Sequence, residues 1–318
     1  MWSGNIKVWL DQVPSTRGRR VPAARLIDQG GSLLAMAILA VIAGTTVAQQ
    51  QAVDSGPAAV SENSRAPAAA DASGAETVIS GYLGAPYTYP SDIHIVNPAT
   101  TTDLTVMHAH WDAKPFKHPI YYGVRIARWS PANRSGVMVD FTHAKSIAEP
   151  EEEVLVKGLI GGAAQPGKAK IGALFKHMEF SHGHNMLTLN SLFRLADITP
   201  WLSPYAGLGA GVALPHTEVQ LSAEAQRTYE YQYAGPAGQV LIGLEVRLPR
   251  RSLFLEYKLS FARMSVPLSH LETGNLFTDL WRQARLWSTG DPPPGGTLDT
   301  RLLTHHLIGG AGVRLATP

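Results

Sequence analysis

Period-2 alternation, in which every second residue is apolar and its neighbours are small or polar, marks eight segments as β-strands with two unlike faces. They run from Thr77 to Tyr87, Pro119 to Trp129, Ser135 to Lys145, Asn185 to Leu195, Pro204 to Leu214, Pro236 to Leu248, Ser252 to Ser265 and Arg301 to Leu315. In the seventh, Leu253, Leu255, Tyr257, Leu259 and Phe261 share one face, and Glu256, Lys258 and Ser260 the other. In the sixth, Val240, Ile242, Leu244, Val246 and Leu248 oppose Gln239, Gly243, Glu245 and Arg247. Stretches with a helical period are few. Alternation alone does not distinguish a soluble sandwich, with its aliphatic face inside, from a barrel that turns that face to lipid.

The spacing of the segments separates the two. Gaps around Ala132, Asp197 and Arg250 are short, whereas those after the first, third, fifth and seventh segments are long. Strict alternation of short and long is the layout of an outer-membrane barrel, with short periplasmic turns and long extracellular loops. The sequence therefore predicts an all-β protein, an eight-stranded antiparallel transmembrane β-barrel over residues 76–318. Eight strands leave an interior just filled by side chains, so no open pore is expected. Gly207, Gly209, Gly211, Gly310 and Gly312 would make room for larger residues opposite. Arg125, Asp140, Glu245, Arg247, Glu256, Lys258 and Arg314 are expected to pair inside as a structural ion network. Tyr121, Tyr122, Trp129, Trp201, Tyr205, Phe254 and Phe261 near strand ends fit interfacial girdles, or ordinary half-buried strand aromatics.

Ahead of the strands, Arg17, Arg19, Arg20 and Arg25 precede an apolar run from Leu33 to Ala43, and Thr46-Val47-Ala48 offers the small residues of a cleavage site. Residues 1–48 read as a signal peptide rather than a membrane anchor, because the run is short of the ~20 apolar residues a spanning helix needs. Residues 49–75, rich in Ala, Ser and Pro and without an aromatic, read as a disordered tether.

Composition narrows the chemistry. The 318 residues contain no cysteine, which removes disulfide scaffolds, thiolate metal sites and a cysteine nucleophile, and leaves nitrogen and oxygen as metal ligands. Beyond residue 48 the chain carries 22 Lys/Arg against 23 Asp/Glu with no basic run, so nucleic acid is not an expected partner. Gly207-Leu208-Gly209-Ala210-Gly211 lies in a strand pattern with no helix after it, and neither flavin nor nicotinamide is expected there.

Histidines concentrate away from the strand centres. His177, Glu179, His182 and His184 fall in one stretch of the third-to-fourth connection, His143 and Lys145 end the third strand, and His216 with Glu218 ends the fifth. All should gather at the outer rim. Two imidazoles and a carboxylate can form an open oxygen-activating site, and histidine with serine can support acyl hydrolysis. The same residues can also be a solvated rim, because their spacing matches no tight metal motif. Lys145, Lys157, Lys168, Lys170 and Lys176 suit lipid phosphates or a solvated loop, and the acidic run Glu149 to Glu153 reads as an exposed loop face.

Several strings resemble the rhizobial lipid A oxidases: Tyr121-Tyr122-Gly123-Val124-Arg125, Asp140-Phe141-Thr142-His143-Ala144-Lys145, Asn185-Met186-Leu187-Thr188-Leu189-Asn190, Pro204-Tyr205-Ala206-Gly207-Leu208-Gly209, Pro215-His216-Thr217-Glu218, Tyr231-Gln232 with Gly235-Pro236-Ala237, and Glu256-Tyr257-Lys258. The resemblance covers residues 76–315 and is least in the connections from Pro150 to Lys170 and Leu271 to Thr300. It implies an outer-membrane barrel that uses oxygen and a divalent cation to convert the proximal glucosamine of lipid A to 2-aminogluconate, with lipopolysaccharide as partner; the barrel is expected to be monomeric. On that footing His177, Glu179, His184 and His216 are the expected catalytic residues. The expected cation ligands are drawn from His143, His177, Glu179, His182, His184, His216 and Glu218, and Lys145 and Lys176 are the expected substrate contacts. A lipid A deacylase and a noncatalytic structural or interaction barrel are the alternatives.

Overall fold

The computed structural model describes residues 75–316, so the expected signal peptide and tether lie outside the described residues apart from Ala75. Fourteen strands account for most of it: β1 (Glu76–Asn97), β2 (Thr102–Asp112), β3 (Tyr122–Trp129), β4 (Ser135–Ala148), β5 (Glu153–Ile160), β6 (Ala163–Ala164), β7 (Lys168–Lys170), β8 (Phe175–Arg194), β9 (Leu202–Ala213), β10 (His216–Leu221), β11 (Thr228–Tyr231), β12 (Gly235–Arg247), β13 (Arg251–Pro267) and β14 (Thr297–Ala316). The α-helices are a single turn, α1 (Ile171–Leu174), and the longer α2 (Leu276–Thr289), and a 3-10 turn at Pro98–Thr100 joins β1 to β2. No described helix is long and apolar enough to cross a membrane.

Eight strands pair in a closed antiparallel circuit: β1 with β3, β3 with β4, β4 with β8, β8 with β9, β9 with β12, β12 with β13, β13 with β14, and β14 back to β1. Each overlaps one of the eight segments that alternation marks. Within the circuit each strand has a neighbour on both sides, which an open sheet cannot give its outermost strands. Inside, the ionic residues pair: Lys258 Nζ lies 2.5 Å from Asp140 Oδ2, Arg125 Nη1 2.7 Å from Glu256 Oε2, and Arg194 Nη2 2.6 Å from Glu245 Oε2. Arg314 meets Glu76, and the Arg125 guanidinium lies 3.6 Å over the Phe254 ring. Glycines make this packing possible, since a Cβ on Gly123 would collide with the Tyr82 ring and one on Gly310 with Phe254. Between the Asp140–Lys258 and Arg125–Glu256 pairs above and the Arg194–Glu245 and Arg314–Glu76 pairs below, Val78, Met138, Leu192, Tyr205 and Leu241 form a small apolar plug. On the outside, Ile79, Leu83, Leu208, Val240, Ile242, Leu253, Leu255, Leu307 and Val313 stay exposed as an aliphatic belt.

The long connections differ from the expected loops. They carry the sheet onward: β2 pairs with both β1 and β5, β5 with β6 and β7, and β10 with both β8 and β11. β1, β8 and β14 extend well past the belt, and their upper halves enclose a second core containing Ile93, Ile95, Leu104, Val106, Trp111, Phe180, Met264 and Leu298. Polarity therefore reverses along single strands. On β14, Leu303, Leu307 and Val313 face out in the lower half, whereas Leu298 and Leu302 face in above, with Arg301 outside. That reversal is what a chain needs if its lower half meets an apolar medium and its upper half meets water.

Candidate functional site

The histidine-rich segment lies in β8, where the sheet leaves the circuit. Ala144 of β4 pairs with His184 and Ser146 with Phe180, so Ser181, His182 and Gly183 together oppose the single Lys145. Gly183 takes φ +136° in this bulge, and a Cβ there would also collide with the Asn185 side chain. Beyond the bulge, Met178 and Phe180 point into the upper core, which turns His177 and Glu179 to the outer wall. β10 pairs alongside in the same sense, with Glu218 opposite Glu179 and Gln220 opposite His177, while Val219 and Leu221 point inward.

The result is a compact donor set. Suitable ligand atoms of His177, Glu179 and Glu218 all lie within 4.8 Å of one another. His177 Nδ1 is 3.6 Å from Glu179 Oε1 and 3.4 Å from Glu218 Oε1. Two carboxylates directly opposite across a strand pair repel unless a cation stands between them. Arg227 meets part of that need, donating from Nη1 to Glu218 Oε1 at 2.8 Å and from Nη2 to Glu272 Oε2 at 3.1 Å. Glu179 has no Lys or Arg within ion-pair distance among the described residues, and its recorded ionic neighbour is His177. One nitrogen and two oxygen donors suit a divalent cation, so the residues fit one.

Around this set lie two further histidines. His182 Nδ1 is 3.9 Å from Glu218 Oε2, and its Nε2 is 3.3 Å from the Tyr229 hydroxyl. His216 is buried, with its ring 5.2 Å from that of His182, 4.3 Å from Tyr229 and 4.6 Å from Tyr231. Its Nδ1 is buried without a hydrogen-bond partner. Burial, reinforced by His182 and Arg227, lowers the His216 pKa to about 3 and keeps the ring neutral.

The other expected residues are placed differently. His184 lies apart from the donor set: it pairs with Ala144 on the inner face, fully buried, with Nδ1 3.4 Å from Ser146 Oγ. His143 is on the outer face but lower, stacked on Tyr122 at 4.8 Å and held through Nδ1 by Asn185 Oδ1 at 2.8 Å. Lys145 donates to the Lys117 carbonyl at 2.8 Å, and Lys176 to the Glu224 carbonyl at 2.9 Å. Of the seven expected ligands, His177, Glu179 and Glu218 form the donor set, His182 and His216 flank it, and His143 and His184 stand apart.

A hydrolytic triad needs serine and acid on different nitrogens of one imidazole. His182 meets Ser181 Oγ at 3.4 Å and Glu218 through the same Nδ1, and His184 has Ser146 on one nitrogen with the other unpartnered. Neither is arranged as a relay. Sequence reasoning missed Arg227, Tyr229 and Tyr231, although Thr228–Tyr231 alternates tyrosine with polar residues in the manner of a short strand.

No protein-family model and no curated protein matches the chain. Among solved structures it is similar to Neisserial surface protein A (NspA), at 10% identity and TM-score 0.31, covering 76% of this chain and 98% of that one. It is likewise similar to Ail, the attachment invasion locus protein of Yersinia pestis, solved with the heparin analogue sucrose octasulfate, at 14% identity and TM-score 0.30, covering 76% and 99%. The chemistry of the rim has to be read from its own residues.

Proposed function

We propose that the closed strand circuit spans the bacterial outer membrane as an eight-stranded barrel, and that the protein is an oxygen-dependent oxidase of the proximal glucosamine of lipid A. The observation that carries this reading is the His177, Glu179 and Glu218 set on the outer wall, above the exposed aliphatic belt. A lipid whose acyl chains lie along the belt would bring its sugar to that height. The strings shared with the lipid A oxidases support the same substrate.

His177, Glu179 and Glu218 are the residues that would hold a divalent cation. Bound there, such a cation supplies the oxygen activation and hydroxyl polarisation that protein side chains lack. Arg227 fixes the orientation of Glu218 through its 2.8 Å hydrogen bond. His182, next to Glu218 and the Tyr229 hydroxyl, is placed to accept the anomeric hydroxyl proton. Lys145, buried with its Nζ donating to the Lys117 carbonyl at 2.8 Å, would supply a cation to the distal phosphate on giving up that bond. In the overall balance the hemiacetal carbon gives two electrons and two protons to oxygen, leaving a lactone and hydrogen peroxide. Water then opens the lactone to the acid, a net gain of one oxygen atom.

The test is mass spectrometry of lipid A from a host that makes this protein together with a lipid A 1-phosphatase, grown with and without oxygen. Gain of one oxygen atom only in aerobic cells is expected, and His177→Ala or Glu179→Gln should lower it by about 100-fold or more, in line with the several kcal/mol such cations contribute. Loss of an acyl chain instead would make the protein a hydrolase. An unchanged spectrum from a folded barrel would leave an interaction role.

A further inference from the structure

A second cluster occupies a different stretch of the wall. Arg263 of β13 and Arg301 of β14 are paired residue for residue and both are exposed on the outer face. Directly opposite residues bring their Cβ atoms to about 4.5–5.5 Å, and like charges so placed destabilise the sheet. Neither guanidinium has a carboxylate within ion-pair distance among the described residues. Of the nearby acids, Asp92 accepts the His108 backbone N–H at 2.8 Å and Asp103 takes His94 at 2.9 Å, while Asp299, two residues from Arg301 on the same strand, forms no ion pair with either arginine. Both arginines line an open cavity of about 540 Å³, whose wall also holds Asp92, His94, His108 and Asp299.

The height of the pair is as informative as its charge. Two residues below Arg263 stands Phe261, and two residues from Arg301 stands Leu303, both exposed and both at the top of the belt. β13 and β14 do not pair with β8 or β10, so the arginine pair and the carboxylate set stand on different strands. An uncompensated arginine pair at the upper margin of an apolar wall matches an amphiphile with an anionic head. Guanidinium forks bind phosphate oxygens two at a time, and the flanking acid and imidazole groups suit sugar hydroxyls.

We propose that Arg263 and Arg301 form a second binding site, for the phosphorylated headgroup of an outer-leaflet glycolipid whose acyl chains pack on Phe261 and Leu303. The site rests on the membrane placement above and is independent of the oxidase chemistry. The full chain, reconstituted into phosphatidylcholine vesicles, is scored first for carbonate-resistant insertion and then for retention of diphosphorylated lipid A. Dephosphorylated lipid A, phosphatidylglycerol and inorganic phosphate serve as comparison ligands. Diphosphorylated lipid A should be retained best, and Arg263→Gln/Arg301→Gln should weaken its retention by about tenfold or more, the scale expected for two cations at a lipid surface. The single change Arg263→Lys, which keeps the charge but not the fork, should give an intermediate loss. Equal retention by the double variant, or by dephosphorylated lipid A, would overturn the site while leaving the membrane placement standing. Equal binding of inorganic phosphate or phosphatidylglycerol would overturn its assignment to a glycolipid. A chain that never inserts would overturn the placement and the site together.

Discussion

His216 sits between the rings of Tyr229 and Tyr231, beside His182 and Arg227, and burial with those neighbours lowers its pKa to about 3 from the usual 6.5. Above pH 6.5 the ring is neutral whether the chain is folded or not, and it adds nothing to pH dependence. Between 6.5 and 3 the unfolded chain takes up a proton that the folded one refuses, so stability falls as pH falls through that window. Hydrogen exchange in β10 and β11, corrected for intrinsic rate, should therefore accelerate between pH 6.5 and 4. In His216→Phe that acceleration should be reduced, and an unchanged profile would mean that other groups govern it. The same neighbourhood shows how far residue types carry. His177, Glu179 and Glu218 were legible as donors because carboxylate and imidazole cluster in the sequence. The placement of His184 was not, because strict period 2 puts His182 and His184 on one face and only the bulge at Gly183 separates them. Arg227 and Tyr229 carry only a faint signal for a different reason: Arg227 precedes β11, and the strand that holds Tyr229 is four residues long.

At the scale of elements, α2 shows how the upper sheet protects an edge. Its Asn275 cap accepts the Thr278 N–H at 3.1 Å, and Gly290 ends it in a left-handed conformation at φ 72°. Along its inner side, Asp279 accepts the Tyr231 backbone N–H at 3.1 Å and the Thr273 hydroxyl at 2.6 Å. One turn on, Gln283 both accepts from the Tyr233 N–H and donates to the Tyr233 carbonyl, each at 2.8 Å. The helix thus completes the hydrogen bonding of β11 and the segment after it with side chains where another strand would use backbone. Asp279→Ala removes a buried acceptor shared by the Tyr231 N–H and the Thr273 hydroxyl, at a cost of about 1–3 kcal/mol. Limited proteolysis should then cut between β13 and β14 faster, while cutting at the short turns stays as it was. The ring strands were legible because one face had to be apolar and the other small or polar over the whole belt. The upper extensions read from sequence as loops, although Ile93-His94-Ile95 and Leu104-Thr105-Val106 also alternate. On β1 the apolar residues keep their odd positions from Ile79 and Leu83 to Ile93 and Ile95, but register shifts between Thr88 and Ile93 turn them from the outer to the inner face, and no local pattern announces that turn.

For the whole molecule, the interior is stabilised by ions that have no water to fall back on. Lys258 is fully buried, with Asp140 at 2.5 Å, and Tyr82 and Thr142 hydroxyls both at 3.1 Å. Replacing it, as in Lys258→Met, strands the Asp140 charge and should cost about 3–5 kcal/mol. The temperature at which the purified protein converts from its compact to its unfolded electrophoretic form should drop accordingly. Adding Asp140→Asn to the same chain should restore most of that loss, and an equal drop in the double variant would refute a pairing role. With its lumen closed by these ions and by the apolar plug below, the molecule offers the carboxylate set only to what arrives from the side. On the proposed membrane placement, the quantity that feeds the site is then a surface density: diluting substrate lipid with neutral detergent slows turnover even when the number of molecules per millilitre is unchanged. The rate is set in two dimensions, by crowding and fluidity in one leaflet, and two cells with equal lipid content but unequal membrane order would run the same protein at different speeds.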